Sequence, residues 1–534
     1  MRSTSNGSIN RDNPNPVFMK IRIKSRFLLP TLIAGLGLMV TGRVTAQNFT
    51  NFYNFPAALT NRDGAQPSGS LIISGNILYG TAGIGGTNGN GSIFAINTNG
   101  TSFTNFHNFS ARATNSLGHA TNSDGTGPTG GLILSGSLLY GTAFAGGTNG
   151  NGTVFAINTN GTGFTILHHF SAGAANTLGH LTNNDGATPY TGLILSGTTL
   201  YGTAAYGGTN GNGTVFALGT GGTGFTTLHH FTTLVSSNNS DGANPYAGLM
   251  LSGSTLYGTA QFGGTNGTGT LFALNASGTG FTNLHNFSAQ APNALNHITN
   301  SDGANSRARL ILSGNTLYGT ATFGGTNSYG TVFALDTNGT GFTILHQFAA
   351  GVTNPLATFT NTDGAYPQGG VILSGNTLYG AAEFGGSLGL GTIYSVNTNG
   401  GSFTVLAAFP VENFNLNLLA QTNSMGAYPQ SALLLSDNIL FGSAPLGAIY
   451  GSGTLFSLTL GPVSSRPPLT IVHSGTSVQV TWPTNFAGFT LQFTTNLVSP
   501  AVWSTVSPAP AVVGGQYVVT NGNSGSSKFY RLSQ

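Results

Sequence analysis

Along most of the chain, apolar residues come in short runs broken by Gly, Asn, Thr and Ser, and the runs return in a fixed order. One set reads "GLILS", "TLYGTA", "GTVFAIN" and "FTILHHF". Each run has the length and composition of a β-strand. The links agree, since Gly197-Thr198, Gly314-Asn315 and Gly375-Asn376 place a leading glycine between the first and second runs. Asn160-Gly161 and Asn338-Gly339 punctuate the third and fourth in the same way. Both are hairpin signals, so four antiparallel strands per unit are predicted.

The units recur on one period. "LYGTA" or a near variant returns at Tyr79, Tyr140, Tyr201, Tyr257, Tyr318 and Tyr379, with Phe441 of "LFGSA" as a seventh copy, in steps of 61, 61, 56, 61, 61 and 62 residues. A four-stranded sheet repeated radially is a β-propeller, for which seven blades is an ordinary number. A solenoid would need atypical caps at its ends, and the ends here are not caps. "FTNFYNF", residues 49–55, is a fourth-type run with no third run before it, and the seventh unit stops after its third run, "GTLFSLTL". One strand and three make a blade. The expected fold is therefore all-β: a seven-bladed propeller over 47–461 whose N-terminal strand closes the ring.

From Arg466 the texture changes. "RPP" marks a linker, placed at 462–467, and "LTIVHSG", "SVQVTWP", "FTLQFTT", "VWSTV", "QYVVT" and "KFYRL" then predict about six strands. Trp482 and Trp503 both lie here. Residues 468–534 read as a small sandwich of the fibronectin or immunoglobulin-like sort.

Charge adds an address. Seven of the fourteen Lys and Arg precede residue 47, and "KIRIKSR", "FLLPTLIAGLGLMV" and "TGRVTAQ" have the basic, apolar and small-residue parts of an export signal, placed at 1–46 with Met19 as an alternative start. The apolar stretch Phe27–Val40 is too short to span a bilayer. The remainder carries seven basic and ten acidic residues, without the clustered positive charge that nucleic acid requires. A secreted or cell-envelope monomer with no transmembrane span after cleavage is expected. There is no cysteine, which removes disulfides and thiolate chemistry. Charged residues make up 5% of the chain against about 25% in an average domain, as expected if most strands are buried on both faces.

The ordered pattern "DGAxPxxGLILSGxTLYGTAxxGGTNGxGTVFALxxxGTGFTxLHxF" resembles the GloVer tandem repeat of bacterial choice-of-anchor repeat proteins over roughly residues 49–458. The resemblance implies an exported repeat protein and brings no activity or catalytic residues with it. "DGANSRARLIL" in unit five and "SMGAYPQSALLL" in unit seven depart most from the pattern.

Candidate chemistry is of two kinds. Repeated residues come first: Asp63, Asp124, Asp185, Asp241, Asp302 and Asp363 each precede a glycine in the long connection between units, where unit seven has Met425. They read as a ring of carboxylates suited to Ca²⁺ or sugar hydroxyls, or as turn residues accepting local N–H groups. His107, His168, His229, His285 and His346 share one strand position, replaced by Tyr53 and Ala407. Period two puts Phe164, Ile166, His168 and Phe170 on one face, which suits a packed histidine with a local hydrogen bond. His119, His180 and His297 bring imidazoles into the loops of Asp124, Asp185 and Asp302. The "GGTNGNG" loops lack the lysine of a phosphate cradle.

Single departures are the second kind. Arg307 and Arg309 stand beside Asp302 where other units have Tyr or a small residue and Gly, and Glu383 is the lone carboxylate at its loop position. An arginine pair can grip an acidic sugar or phosphate, or pair with Asp302. No nucleophile elbow or zinc helix occurs, and only Glu383 and Glu412 are glutamates. The expectation is a non-catalytic protein, without cofactor, whose long-loop face binds an extracellular polysaccharide or surface protein. Ca²⁺ is left open without a specific motif. A carbohydrate-active lyase or glycosidase using Arg307, Arg309, His297 and Asp302, and a self-associating envelope protein, are the alternatives.

Overall fold

The structure is a computed structural model that describes residues 46–460 apart from 58–60, 117, 178, 294–295, 354–358, 411–412 and 416–419, and residues 469–533 apart from 475–476, 484–488, 497–501, 508, 514–515 and 523–527. The expected export segment up to residue 45, the expected linker 462–467 and Glu412 lie outside the described residues. Two compact units divide between residues 460 and 469. Their regular structure is all β, and no helix among the described residues is long and apolar enough to cross a membrane.

In the first unit the described strands form seven four-stranded antiparallel sheets. We number them by their three-residue inner strands, from Ile72–Ser74 to Leu434–Ser436. The second sheet shows the plan, with Ile133–Ser135, Leu138–Ala143, Thr153–Asn158 and Thr165–His169 side by side in chain order. Gly197, with φ of 56°, links paired Ser196 and Thr199 in the third sheet, as a leading-glycine hairpin requires. The seventh sheet is built differently. Its outer strand is Ala46–Asn54, paired to Thr454–Leu460 with Phe49 opposite Leu458 and Tyr53 opposite Leu455.

The core lies between sheets. Tyr79, Ile93 and Phe109 of the first pack on Leu132, Leu139 and Phe155 of the second, and the pattern continues through the sixth and seventh, where Phe409 meets Phe456. Between the seventh and first, Phe55, Phe441 and Leu455 meet Leu71, Leu78 and Phe94. Each sheet is thus covered on both faces, which leaves charges few places to stand. The glycine of "LYGTA" follows from this packing. Gly202 lies opposite Phe216, and a Cβ there would stand 2.6 Å from Phe216 Cζ and 2.8 Å from Leu193 Cδ2. A strand glycine marks such a close approach.

Period two fails in the outer strands. A bulge opposite Val154 and Phe155 interrupts the register, so Phe164 and Ile166 pack towards the first sheet whereas Leu167 and Phe170 pack towards the third. The four residues expected on one face are therefore split, because an extra residue in a bulged strand shifts every later side chain by one. A matching bulge lies between Asn51 and Tyr53.

The inserted stretches before the Asp-Gly turns form two-stranded ribbons such as Ala113–Thr114 with Ala120–Thr121. Strands alternate in direction, so these outer-to-inner connections and the "GGTNGNG" loops emerge at the same end, bridged at Thr126 and Ala145. In the second unit, a four-stranded and a three-stranded antiparallel sheet share a core of Val480, Trp482, Leu491, Val506 and Val519. Ala511–Val513 adds a strand not expected from the sequence.

Gly202→Ala should destabilise the first unit by about 1–3 kcal/mol through overpacking against Phe216. Gly221→Ala, where nothing lies within 4 Å of the added Cβ, should change stability by less than about 0.5 kcal/mol. Urea unfolding of both variants makes the comparison, and equal midpoints would contradict this account of the repeat.

Candidate functional site

The Asp-Gly turns are built from the backbone up. Gly186 has φ of +99°, and a Cβ there would meet Thr214 Oγ1 at 2.4 Å, so glycine alone fits. The Asp185 carbonyl accepts from Thr214 Oγ1 at 3.1 Å. Its carboxylate accepts from Ser171 N at 2.9 Å and from Ser171 Oγ, and lies 2.9 Å from His168 Nε2. An ionised carboxylate only accepts, so Nε2 carries the proton. The imidazole stacks on Phe225 of the next sheet at 3.9 Å and 11°. One histidine is thereby clamped by an aspartate and a phenylalanine, both from the following unit.

The same clamp recurs at His107–Asp124, His229–Asp241, His285–Asp302 and His346–Asp363, at 2.8 to 2.9 Å. In the seventh sheet Tyr53 takes the histidine's place: its hydroxyl donates to Asp63 Oδ2 at 2.6 Å and its ring stacks on Phe103 at 4.2 Å. Ala407 and Met425, the two remaining departures, occupy one apolar junction between the sixth and seventh sheets. Partners are replaced together.

Burial pushes the Asp124, Asp185 and Asp302 carboxyls up, but the hydrogen bonds from histidine and Ser110, Ser171 or Ser288 outweigh it and hold them below the ordinary 3.8. Each trio has the residue types of a nucleophilic triad in the wrong order. The aspartate sits between serine and histidine, so the imidazole is not placed to take the serine's proton. His119, His180 and His297 lie in the ribbons, each backbone N–H donating to the side chain of Asn115, Asn176 or Asn293 at 2.9 to 3.0 Å, while Asp124, Asp185 and Asp302 are engaged by the strand histidines. Among the described residues no group of three or more His, Cys, Asp or Glu gathers as a metal site.

The single departures converge elsewhere. A cavity of about 1060 Å³ opens where residues at or beside the inner strands of all seven sheets meet. At the end carrying the long loops stands a polar network. Arg307 donates through Nε and Nη2 to Gln261 Oε1 at 2.9 and 2.7 Å, with the amide oriented by this hydrogen-bond pattern. Its Nη1 donates to Gln368 Oε1 at 3.4 Å, and its guanidinium lies over the Tyr246 ring at 5.6 Å. Gln368 and Gln430 donate to the Glu383 carboxylate. Burial pushes Glu383 up, and these amides and the Arg307 charge only partly pull it back. Arg307 and Glu383 thus belong to one network, and Asp302 is engaged by His285.

Arg309 also lines the cavity and has no hydrogen-bonding or ionic partner among the described residues. Water reaches it through the cavity, yet protein encloses it in most directions, and this desolvation pushes its pKa down.

Tyr190 and Tyr246 line the cavity, and further rings pack in the loops at the same end. Tyr190 contacts Phe144 and Tyr246, the Tyr246 hydroxyl donates to Tyr206 at 2.6 Å, and Tyr366 lies between Phe323 and Phe384. Tyr190, Tyr206 and Phe323 are 41%, 43% and 37% exposed. Aligning the units at Asp-Gly and at "GTA" would have revealed these rings, since they fall at four variable columns of the repeat: Tyr190 with Tyr246, Tyr366, Phe144, and Tyr206 with Phe323 and Phe384.

A profile of the family described as Gloeobacter/Verrucomicrobia repeat matches residues 34–177, 113–293, 171–355, 232–417 and 293–487. No curated protein matches. Among solved structures the chain is similar to puromycin hydrolase, at 11% identity over 82% of this chain and 61% of that one, with a TM-score of 0.42. It is also similar to TolB from Acinetobacter baumannii (14%, 58% and 58%, 0.31) and to the β-propeller domain of the Trilobed protease from Pyrococcus furiosus (7%, 74% and 95%, 0.37). The chain spans about three fifths of the hydrolase and of TolB.

The lowered carboxyls set an acid limit. Their stabilisation is fully present above the unfolded value of 3.8 and is lost as pH falls through the lower folded values. Urea midpoints should fall steeply below about pH 4, and Asp185→Ala should cost about 2–4 kcal/mol at neutral pH while flattening the acid slope. An unchanged slope would remove Asp185 from the acid response.

Proposed function

The chain belongs to the Gloeobacter/Verrucomicrobia repeat family, and from that premise we propose an exported, non-catalytic, seven-bladed β-propeller that binds an extracellular polysaccharide at its central mouth. Tyr190 and Tyr246 at that mouth, with the half-exposed rings in the loops at the same end, carry the reading. Sugar rings present apolar C–H faces and hydroxyl edges. Half-exposed Tyr and Phe rings supply flat apolar area with a polar handle at low entropy cost, and Gln368, Gln430 and Thr129 bring convergent hydrogen-bonding groups to the same opening. The second unit is a small sandwich serving as an accessory for attachment or spacing.

Closure through Ala46–Asn54 belongs to the same reading. Phe55, fully buried, and Tyr53 bind the seventh sheet to the first. The strand that completes the last blade is thus also its junction with the first.

Two measurements test the proposal. A glycan array followed by calorimetry should find a polysaccharide ligand whose affinity drops about ten-fold in Tyr190→Ala and Phe323→Ala; binding to no glycan sinks the reading. Deletion of residues 46–55 should lower the melting temperature and expose Thr454–Leu460 as an edge prone to association. A monomeric deletion protein with an unchanged midpoint would refute closure through this strand.

A further inference from the structure

Resting on the polysaccharide reading, we propose that Arg309 is an anion-reading subsite inside the cavity, where its guanidinium takes a carboxylate or sulfate borne by the sugar chain. The argument begins with symmetry. In the other six units the position of Arg309 holds Ser70, Gly131, Gly192, Gly248, Gly370 or Ala432. A long cation therefore stands alone where six small residues leave the cavity open. Its Cδ lies beside Gly248 of the neighbouring sheet, where an added Cβ would stand 3.8 Å away in ordinary contact.

The two arginines two residues apart are not equivalent. Arg307 is held by Gln261 and Gln368, lies over Tyr246 and has Glu383 nearby as a compensating charge. Arg309 has none of these. The residues lining the cavity include no Asp, Glu, Lys or His, so their formal charge is the two arginines alone. With Arg307 compensated from just outside the lining, one uncompensated positive charge faces the interior.

Arg309 is exposed to the water of the cavity while the protein around it partly desolvates it and pushes its pKa down, so its guanidinium is accessible and can exchange water for a ligand. A guanidinium stays protonated all the same, and its planar fork of donors matches a carboxylate or sulfate bidentately. An arriving anion would remove the imbalance. The rings at the mouth would hold sugar rings by their faces, and Arg309, deeper in, would distinguish an acidic chain from a neutral one.

The test is calorimetry of the full chain with three probes of equal length: a galacturonic acid hexasaccharide, its full methyl ester, and a sulfated hexasaccharide. At least one anionic probe should bind about ten-fold or more tightly than the ester, and which one identifies the anion. Arg309→Gln should abolish that preference while leaving ester binding unchanged, and Arg309→Lys should keep part of it. If Arg309→Gln does not fold, the Lys variant and loss of the preference with rising salt carry the test. Equal binding of all three probes, or a preference that survives in Arg309→Gln, overturns the subsite and leaves the polysaccharide reading standing. Absence of binding to any probe or array glycan overturns both.

Discussion

The structure depends on the clamp between one sheet and the next, where a histidine is pinned between an aspartate and a phenylalanine of the following unit. Sheets packed only by apolar side chains can slide, because dispersion is not directional. The clamp adds direction. A protonated Nε2 aimed at a carboxylate that also accepts a backbone N–H fixes both height and tilt at five of the junctions. It explains why the Asp-Gly turn repeats so faithfully: the aspartate positions its neighbour, and the glycine lets the turn pass beneath Thr214 and its equivalents.

Two exceptions show that the pair is the unit of design. Tyr53 keeps Asp63 because a phenol donates to a carboxylate as an imidazole does. Alanine cannot donate, and where Ala407 stands the aspartate is replaced by Met425. A buried carboxylate left without its donor would carry the desolvation penalty alone, so an apolar pair is the stable alternative.

Repetition made most of the fold legible. The strands, the leading-glycine turns and the orphan run at residues 49–55 can be read because each is a local signal seen several times. Three features could not be. The bulge that separates Ile166 from His168 leaves no mark in a hydrophobic pattern. The partner of each aspartate is 10, 12 or 17 residues away across a junction, whereas loop histidines such as His119 are closer along the chain. Tyr53, Ala407 and Met425 were visible as departures, but their grouping into two junctions is a fact of three dimensions. Arg307, Arg309 and Glu383 likewise stood out singly, and only the hydrogen bonds through Gln368 set the first and last in one network and leave Arg309 outside it.

A scaffold whose junctions are used up in holding sheets together can specialise only where the sheets do not touch, and that is the central mouth. There the constraint on each residue is relaxed, and the columns diverge: Ser68, Thr129, Tyr190, Tyr246, Arg307, Gln368 and Gln430 occupy one position of the repeat. The divergence is ordered from the first unit to the seventh. Small hydroxyl residues stand in units one and two, tyrosines in three and four, and charge with amides in five to seven, with Gln261 and Glu383 reinforcing the last arc. A ligand entering a symmetric mouth would meet equivalent orientations related by rotation. Here the small-residue arc, the aromatic arc and the polar arc are distinct, so one orientation differs from every other in the contacts it can make.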